Sequence, residues 1–245
     1  MAWVEQTGST NADLLALAWE GGEHGLVLVA DHQSAGRGRL GRTWSTPPGG
    51  ALLCSVLLHP PPAAVVHGGV WAMALAARAA VRDVAGRAGE AAEIKWPNDV
   101  MVGDRKLAGI LAEAVIAPGQ AGAIDAIVVG IGLNVGWAAA PPEVAARAVT
   151  LEELSGHPID RGALLRSLLC ELAPLLALWA GDPDALAARY RADLATLGRT
   201  VRVTLPDREE EGEAVDLTAD GALVVMTAGG PVTVSAGDVV HLRPA

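Results

Sequence analysis

The spacing of apolar residues changes abruptly at Gly198, and this change most limits how the chain can fold. Before Gly198, apolar runs of helix length alternate with runs of strand length, which predicts helices packed on a sheet. After it, five short alternating runs are separated by Gly, Asp and Pro turns, which predicts a small all-β unit. We therefore predict two domains, residues 1–198 and 199–245. The second is too small to be very stable alone and should pack on the first.

Periodicity, capping residues and turn residues locate the elements of the larger domain. Helices are predicted from Ser9 or Thr10 to Gly21, from about Val66 to Ala85, and over Glu143–Leu154, Arg161–Trp179 and Pro183–Leu197. Strands are predicted over Leu26–Asp31, Ala51–Leu58, Ala92–Trp96, Gly109–Ile116 and Ile124–Ile131.

A few residues add detail to this pattern. Pro174 is expected to kink the fourth helix, whereas Pro183 suits the first turn of the fifth. Arg78 and Arg82 are expected on one exposed face of the second helix. The acidic run Glu209–Glu213 is predicted to be a solvated hairpin loop.

The charge of the chain restricts its partners. The net charge is −10 and the isoelectric point is near 5.0. Binding to nucleic acid or to an anionic membrane needs a basic surface, so neither partner is predicted. Any positively charged site must therefore be local.

The cysteines and the apolar runs bear on the compartment. Cys54 and Cys170 both lie in apolar contexts, which predicts two buried thiols rather than a disulfide and fits a reducing compartment. No apolar run reaches the roughly 18 residues of a membrane span, and the N-terminus lacks the pattern of a signal peptide. These features predict a cytoplasmic protein.

The segment from Gly36 to Arg42 places three arginines and three glycines within seven residues of an acidic protein. Glycine lets backbone N–H groups approach an oxyanion closely, and arginine supplies paired donors to phosphate or carboxylate. The segment lacks the Lys-Ser or Lys-Thr ending of a phosphate-binding P-loop. It predicts an anion-binding loop. A plain basic surface loop and an RNA-binding Arg/Gly segment are the alternatives, although the latter are usually long and repeated.

Lysine occurs at only two positions, Lys95 and Lys106, while every other basic side chain is arginine. A lysine ammonium is a compact charge that meets a single oxygen without the fork geometry of arginine. Nearby, Trp44 could stack on a flat ligand or simply pack, and Asn98 could hold a nucleotide or shape a turn. The glycines before Asn134 again permit close approach of a ligand to the backbone.

Several kinds of site have no pattern in the sequence. There is no Cys or His cluster with metal-ligand spacing and no Gly-x-Ser-x-Gly elbow, so neither a metal site nor a protein nucleophile is predicted. A site made of Arg, Lys and backbone donors suits reactions in which charged substrates are aligned and their charge is neutralised. Phosphoryl and adenylyl transfer are such reactions.

Four segments together resemble the biotin protein ligase family: STN, DHQSAGRGRLGRTW, IKWPNDVMVGDRKLAGIL and GIGLNVG, in that order between Thr7 and Val135. The resemblance implies an α+β fold, with a mixed sheet and packed helices like those of class II aminoacyl-tRNA synthetases. It also implies a small SH3-like C-terminal β-barrel. The implied reaction activates biotin with ATP and Mg²⁺ to biotinyl-5′-AMP, then transfers biotin to one lysine of a biotin carboxyl carrier domain.

The resemblance also assigns residues. Arg39 and Lys106 are the implied catalytic residues, since they would neutralise the carboxylate and the α-phosphate. The implied biotin-binding residues are Ser9, Thr10, Asn11, Gln33, Gly36, Arg37, Gly38, Arg39, Lys106 and Gly109. The implied ATP-binding residues are Arg39, Arg42, Trp44, Lys95, Asn98 and Asn134, with Trp44 stacked on adenine.

Some questions stay open at this point. Many members carry an N-terminal DNA-binding domain, and this chain reaches its STN motif at residue 9, so a ligase without repressor activity is expected. A homodimer is possible. A lipoate or octanoate ligase or transferase is the nearest alternative enzyme. A nucleic-acid-binding protein and a nonenzymatic biotin or nucleotide binder are the alternatives from other classes.

Overall fold

A seven-stranded mixed sheet forms the centre of the larger part of the molecule. The computed structural model describes residues 1–60, 67–116, 124–137, 142–204, 209–235 and 238–242. The strands lie in the order β1-β2-β3-β7-β6-β5-β4; only β1 and β2 pair in parallel, and the other neighbours are antiparallel. They are β1 (Ala2–Thr7), β2 (Val27–Gln33), β3 (Ala51–Leu58), β4 (Ala92–Lys95), β5 (Asp99–Val102), β6 (Arg105–Ile116) and β7 (Ile124–Asn134).

Helices cover both faces of this sheet. The helices are α1 (Thr10–Trp19), α2 (Gly68–Ala85), α3 (Pro142–Ala145), α4 (Leu151–Ser155), α5 (Arg161–Gly181) and α6 (Pro183–Asp193), with short 3₁₀ turns at Arg39–Gly41 and Gly86–Ala91. Helix α1 packs on one face, where Leu14 meets Leu57 and Val128. Helices α2, α5 and α6 bury the other face, against Cys54 and Val129 among others. Because β3 lies between these layers, all eight of its residues are buried.

A second sheet of five antiparallel strands follows, in the order β11-β10-β9-β8-β12. Its strands are β8 (Thr200–Thr204), β9 (Glu209–Leu217), β10 (Leu223–Thr227), β11 (Gly230–Val234) and β12 (Asp238–His241). Each contains one of the five predicted alternating runs or part of it. The acidic run predicted to be a loop is instead the start of β9, where Glu211 accepts a hydrogen bond from Arg202 at 2.6 Å. Cross-strand pairing to arginine explains why a charged run can form a strand here.

The predicted elements of the larger domain are confirmed with three exceptions, although α6 ends at Asp193 rather than at Leu197. Strands β1 and β5 are not predicted, because one is mostly exposed and the other has only four residues. The single helix predicted over Glu143–Leu154 is wrong: α3 and α4 are short and separate, and Thr150 caps α4 through its side chain. Pro174 lies inside α5, which is assigned as one helix, and the kink expected there stays a prediction.

Two predictions about exposure also need correction. Cys170 is exposed on α5, whereas Cys54 is buried and burial raises its pKa to about 12. Arg78 is only partly exposed, because it pairs with Asp193 at 3.0 Å and donates to the Ala92 carbonyl. Both outcomes depend on which face of a helix meets its neighbours, and this is decided by packing rather than by local sequence.

Helix α5 has 21 residues and a mean hydropathy of 1.6 in its most apolar window, enough by length and composition to cross a membrane. The expectation that no segment is of this kind is therefore wrong. A third of that window is buried, and its buried leucines and Trp179 belong to the core cluster that includes α2. Helix α5 packs mainly on α2, as part of the core of the domain.

The imidazole of His59 joins the end of β3 to two other elements. Its Nδ1 lies 3.0 Å from the carbonyl oxygen of Asp125 and its Nε2 lies 3.0 Å from that of Gly22. A neutral imidazole has one N–H, so it can satisfy only one of two carbonyls, whereas the protonated ring can satisfy both. These two backbone hydrogen bonds raise the pKa of His59.

We therefore expect the fold to lose stability as the pH rises. A pKa that is higher in the folded state adds stability below the ordinary histidine range, and this contribution disappears as the pH passes the raised value. The melting temperature of wild type should exceed that of His59→Leu by more at pH 6 than at pH 9. Thermal melts of both proteins across this range measure the difference, and a pH-independent gap would contradict the double-donor role of His59.

Candidate active site

A cavity of about 490 Å³ opens where α1, the loop after β2 and strands β5, β6 and β7 meet. Most of the predicted site residues line it: Ser9, Thr10, Asn11, Gln33, Arg37, Gly38, Arg39, Arg42, Trp44, Lys95, Asn98, Lys106 and Gly109. Two predicted residues, Gly36 and Asn134, do not appear in this lining. Asp99, from the same turn as Lys95 and Asn98, lines the cavity too. The structure also adds Ser55 and the β12 residues Val239 and Val240, which the sequence did not single out.

The N-terminus of α1 supplies a buried polar wall. Ser9, Thr10 and Asn11 are each no more than 4% exposed. Gln33, at the end of β2, accepts hydrogen bonds through Oε1 from the Thr10 backbone N–H at 2.8 Å and from the Thr10 hydroxyl at 3.0 Å. Because β1 and β2 are parallel, Gln33 and the start of α1 meet at one edge of the sheet.

Asn11 links this wall to a carboxylate on β6. Its amide nitrogen donates to Glu113 Oε2 at 2.8 Å and to the Leu111 carbonyl at 3.2 Å, while its Oδ1 accepts from Ser55 at 2.6 Å. Glu113 also pairs with Arg37 at 3.0 Å. Glu113 and Ser55 lie within strands that read simply as buried or alternating, so no local signal marks them as part of the site.

The arginine-rich loop is folded back on itself over the cavity. The Gly38 N–H donates to the Arg42 carbonyl at 2.7 Å, and the Trp44 N–H donates to the Gly36 carbonyl at 3.0 Å. A Cβ at Gly36 would lie 2.3 Å from the Trp44 carbonyl oxygen, which explains the glycine at this position. Arg39 reaches across to donate to Asn98 Oδ1 at 3.2 Å, and Asn98 donates in turn to the Ile110 carbonyl.

The ring of Trp44 lies against the bare backbone of two strands. A Cβ at Gly132 would lie 2.4 Å from the ring, and one at Gly109 would lie 3.0 Å from it. Lys106 Nζ stands 5.4 Å from the ring centroid. The glycines of β6 and β7 therefore make room for an aromatic side chain at the base of the cavity, beside a cation.

Lys106 is held in place by backbone and side-chain contacts. Its Nζ pairs with Asp99 at 2.6 Å, and its side chain is 33% exposed. Its backbone N–H donates to Arg147, and its carbonyl accepts from Val149. Asn134 is 3% exposed, and its amide donates to the Lys106 and Val149 carbonyls at 3.2 Å. In this structure Asn134 therefore fixes the backbone that carries Lys106.

The five-stranded sheet also reaches the cavity, through the Trp96 turn that carries Lys95 and Asn98. The Trp96 indole N–H donates to the Gly221 carbonyl at 3.0 Å, and its backbone N–H donates to Thr196 Oγ1 at 2.9 Å. Thr196 in turn lies 3.0 Å from His241 Nε2 on β12. Burial, with Lys95 and Arg199 nearby, lowers the pKa of His241 to about 4, so this imidazole is neutral at pH 7.

The described residues contain no cluster of three or more His, Cys, Asp or Glu side chains that could hold a metal ion. Asp99 is the one acidic side chain among the described residues that line the cavity. Mg²⁺ is usually held by one or two carboxylates together with the phosphates of its nucleotide. The residues present fit that form of binding rather than a resident metal site.

One cavity contains four cationic side chains and a buried wall of amides and hydroxyls. The cations are Arg39, Arg42, Lys95 and Lys106. Such a site can hold an organic acid and a nucleotide phosphate side by side. With the mixed sheet, it defines the class of enzymes that activate a carboxylic acid for transfer to a protein. The chain belongs to the biotin/lipoate A/B protein ligase family, whose model matches residues 3–134.

Three comparisons support this placement. The biotin-[acetyl-CoA-carboxylase] ligase of Mycobacterium tuberculosis is 43% identical over 247 residues, covering 98% of this chain and 88% of that protein. The enzyme of the same name from Paracoccus denitrificans is 32% identical, with 96% and 98% covered. The biotin protein ligase of Aquifex aeolicus in complex with biotin and ATP superposes with a TM-score of 0.81 at 28% identity, over 99% and 98% of the two chains.

The C-terminal part matches as well. Residues 196–242 fit the model of the biotin protein ligase C-terminal domain. The family resemblance and the α+β fold class, with its mixed sheet and appended small β-domain, are thus confirmed.

Proposed function

We propose that the protein catalyses two steps: formation of biotinyl-5′-AMP from biotin and ATP, and transfer of the biotinyl group to a lysine of an acceptor protein. The observation that carries the proposal is that Arg39 and Lys106 line the same cavity as the buried polar wall and the Trp96 turn. The names of the related enzymes support biotin as the acid and acetyl-CoA carboxylase as the acceptor.

In the first step, a biotin carboxylate oxygen attacks the α-phosphorus of ATP, and the bond to the leaving pyrophosphate breaks. Two unit charges 4 Å apart repel by about 4 kcal/mol at an effective dielectric constant of 20, which opposes their approach. Lys106 and Arg39 offset this repulsion with cations fixed before the substrates arrive. Asp99 holds Lys106 at 2.6 Å and so directs its ammonium into the cavity.

The polar wall and the loop divide the remaining tasks. The biotin end would be surrounded by six residues, and Gly36 and Gly109 would let the backbone approach the biotin. The six are Ser9, Thr10, Asn11, Gln33, Arg37 and Gly38. Arg42, Trp44, Lys95 and Asn98 would hold the nucleotide, with Trp44 on adenine, while Asn134 would act through the backbone of Lys106. Asp99, the one acidic side chain among the described residues of the lining, would help to hold the Mg²⁺ of Mg-ATP, which would supply positive charge to the phosphates.

In the second step, the neutral amine of an acceptor lysine attacks the acyl carbon, the bond to AMP breaks, and the amine proton passes to solvent. We propose that this lysine belongs to a biotin carboxyl carrier domain and that the reaction takes place in the cytoplasm. A reduced, buried Cys54 and the use of ATP are consistent with that compartment. The division into a catalytic domain of residues 1–198 and a C-terminal domain of residues 199–245 is part of the proposal.

The test is acid-dependent exchange of labelled pyrophosphate into ATP, with biotin, lipoate and octanoate compared at equal concentration. Exchange reports the adenylate step, because that step releases pyrophosphate and is reversed by it. Exchange with biotin alone is the expected result. Exchange with lipoate or octanoate in preference to biotin would assign the chain to the lipoate branch of its family. Binding of biotin without any exchange would indicate a nonenzymatic binder and overturn the proposal.

A further inference from the structure

The loop between β2 and β3 carries much of the cationic side of the site, and its two ends meet. Residues 34–50 include Arg39 and Trp44, which both line the cavity. The Gly49 N–H donates to the Asp31 carbonyl at 2.9 Å, so the chain closes on itself between the end of β2 and the start of β3. Gly49 has a φ of 74°, a conformation that glycine adopts without strain. We call the contact between Asp31 and Gly49 the loop junction.

The guanidinium of Arg161, at the start of α5, covers the loop junction. Its Nη1 pairs with Asp31 Oδ1 at 2.8 Å, and a Cβ at Gly49 would lie 3.8 Å from its Nη2. The Trp3 indole N–H donates to the same Asp31 oxygen at 2.8 Å, and Arg161 Cζ stands 5.4 Å from the centroid of the Trp3 ring. Arg161 therefore joins β1, β2, α5 and the end of the loop at one point.

This pair differs from an ordinary ion pair at the surface. An exposed pair contributes little, because two flexible side chains lose freedom when they form it. The side chains of Arg161 and Asp31 are only 25% and 34% exposed, and the Trp3 hydrogen bond and the charge of Arg161 lower the pKa of Asp31. The Trp3 ring and the bare backbone at Gly49 confine the guanidinium, so its position and that of the loop junction are set together.

The loop junction lies a few residues from two groups of the site. Gln33, which lines the cavity, follows Asp31 by two residues. Trp44, whose ring lies against Gly132, precedes Gly49 by five residues. A misplacement of about 1 Å that starts away from the reacting atoms can cost about 100-fold in rate. Movement at the loop junction would reach both groups.

We propose that Arg161 is a positioning residue for the adenylation step, which acts through the loop junction to hold the segment that carries Arg39 and Trp44. This inference rests on the proposed function. Arg161 is not among the described residues that line the cavity, so it acts through other residues rather than on the substrates.

The first test is the steady-state kinetics of pyrophosphate exchange in Arg161→Ala. We expect kcat/KM for ATP to fall about tenfold, less than the effect of a full 1 Å displacement, with part of the loss as a rise in KM. Arg166→Ala is the matched control: it removes an exposed arginine from the same helix, and its constants should stay within about twofold of wild type. Loss of folded protein lowers the apparent kcat and leaves KM as it was. An unchanged KM in Arg161→Ala would therefore indicate a purely structural role and overturn the proposal.

A double-mutant cycle shows whether Arg161 acts through Asp31. Asp31→Asn keeps an acceptor for Trp3 but removes the charge that holds Arg161, so it should lose about tenfold in kcat/KM as well. The double variant should also lose about tenfold, because the same contact is removed only once. A loss of about 100-fold in the double variant would show two independent effects and contradict the inference. If Arg161→Ala does not fold, Asp31→Asn tests the same pair by the same rise in KM.

Cleavage by trypsin reports the loop without any activity. Trypsin cuts after arginine, and the loop offers Arg37, Arg39 and Arg42. We expect fragments cut at these positions to form about tenfold faster from Arg161→Ala than from wild type or Arg166→Ala, because the loop opens more often. Equal cleavage of all three proteins would overturn the role of Arg161, even with normal exchange in wild type. Absence of biotin-dependent exchange in wild type would instead overturn the proposed function.

Discussion

Replacement of Lys106 by Ala is expected to lower the rate of biotinyl-adenylate formation about 100-fold or more, the scale of one preorganised transition-state donor. Lys106 is the cation held at 2.6 Å by Asp99 at the base of the cavity, beside the Trp44 ring. Its loss leaves the approaching carboxylate and phosphate without one of the charges that offset their repulsion. Single-turnover formation of the adenylate measures the effect directly.

Two further variants separate charge from packing. Lys106→Met keeps the apolar stem beside Trp44 and should be as slow as Lys106→Ala if the charge is what matters. Arg105→Ala removes the neighbouring cation, which pairs with Glu153 at the surface, and should react at close to the wild-type rate. Near-normal adenylation in Lys106→Ala, or an equal loss in Arg105→Ala, would contradict the assigned role.

The second large effect is expected for Gly132→Ala. The added Cβ would lie 2.4 Å from the Trp44 ring, so the ring must move out over the cavity. Displacement of a lining group by about 1 Å can cost about 100-fold in rate, and overpacking typically costs about 1–3 kcal/mol of stability. We expect kcat/KM for ATP to fall about 100-fold, with a smaller loss of thermal stability.

Gly181→Ala is the control for this substitution. Nothing lies within 4 Å of a Cβ built at Gly181, at the end of α5, so neither activity nor stability should fall. Intrinsic fluorescence of Trp44, compared with a Trp44→Leu background, reports whether the ring has moved. Wild-type kinetics together with an unmoved Trp44 ring in Gly132→Ala would contradict this prediction, because the backbone of β7 would then have shifted without disturbing the site.

The sequence predicts the cationic side of the site well because it lies in contiguous segments. The loop from Gly36 to Arg42 and the turn around Asn98 each combine glycine or proline with charged residues, which is a local signal. The family motifs then add the roles of these residues. Thirteen of the predicted positions line the cavity, those of the polar wall included, and their roles there stay predictions.

The buried polar side was only half predicted, for a physical reason. Ser55 and Glu113 lie in the middle of apolar strands, and they join the site because β3 and β6 bring them to Asn11 from 44 and 102 residues away. No local pattern carries that information, since it depends on strand order and on which face each residue takes. The exposure of Cys170 and the strand that begins at Glu209 were not predicted for the same reason: both depend on packing between distant elements.

The parallel pairing of β1 with β2 has a consequence for the engineering of acid specificity. The two strands and the helix between them, residues 2–33, bring Thr10, Asn11 and Gln33 together within one contiguous segment. Because it is contiguous, this segment is a natural cassette to exchange between enzymes with different acids. Such an exchange would separate Asn11 from Ser55 and Glu113, which stay with the recipient, and leave donors and acceptors mismatched. We therefore expect acid preference to depend on several strands at once, so that a transplant should include the partners on β3 and β6.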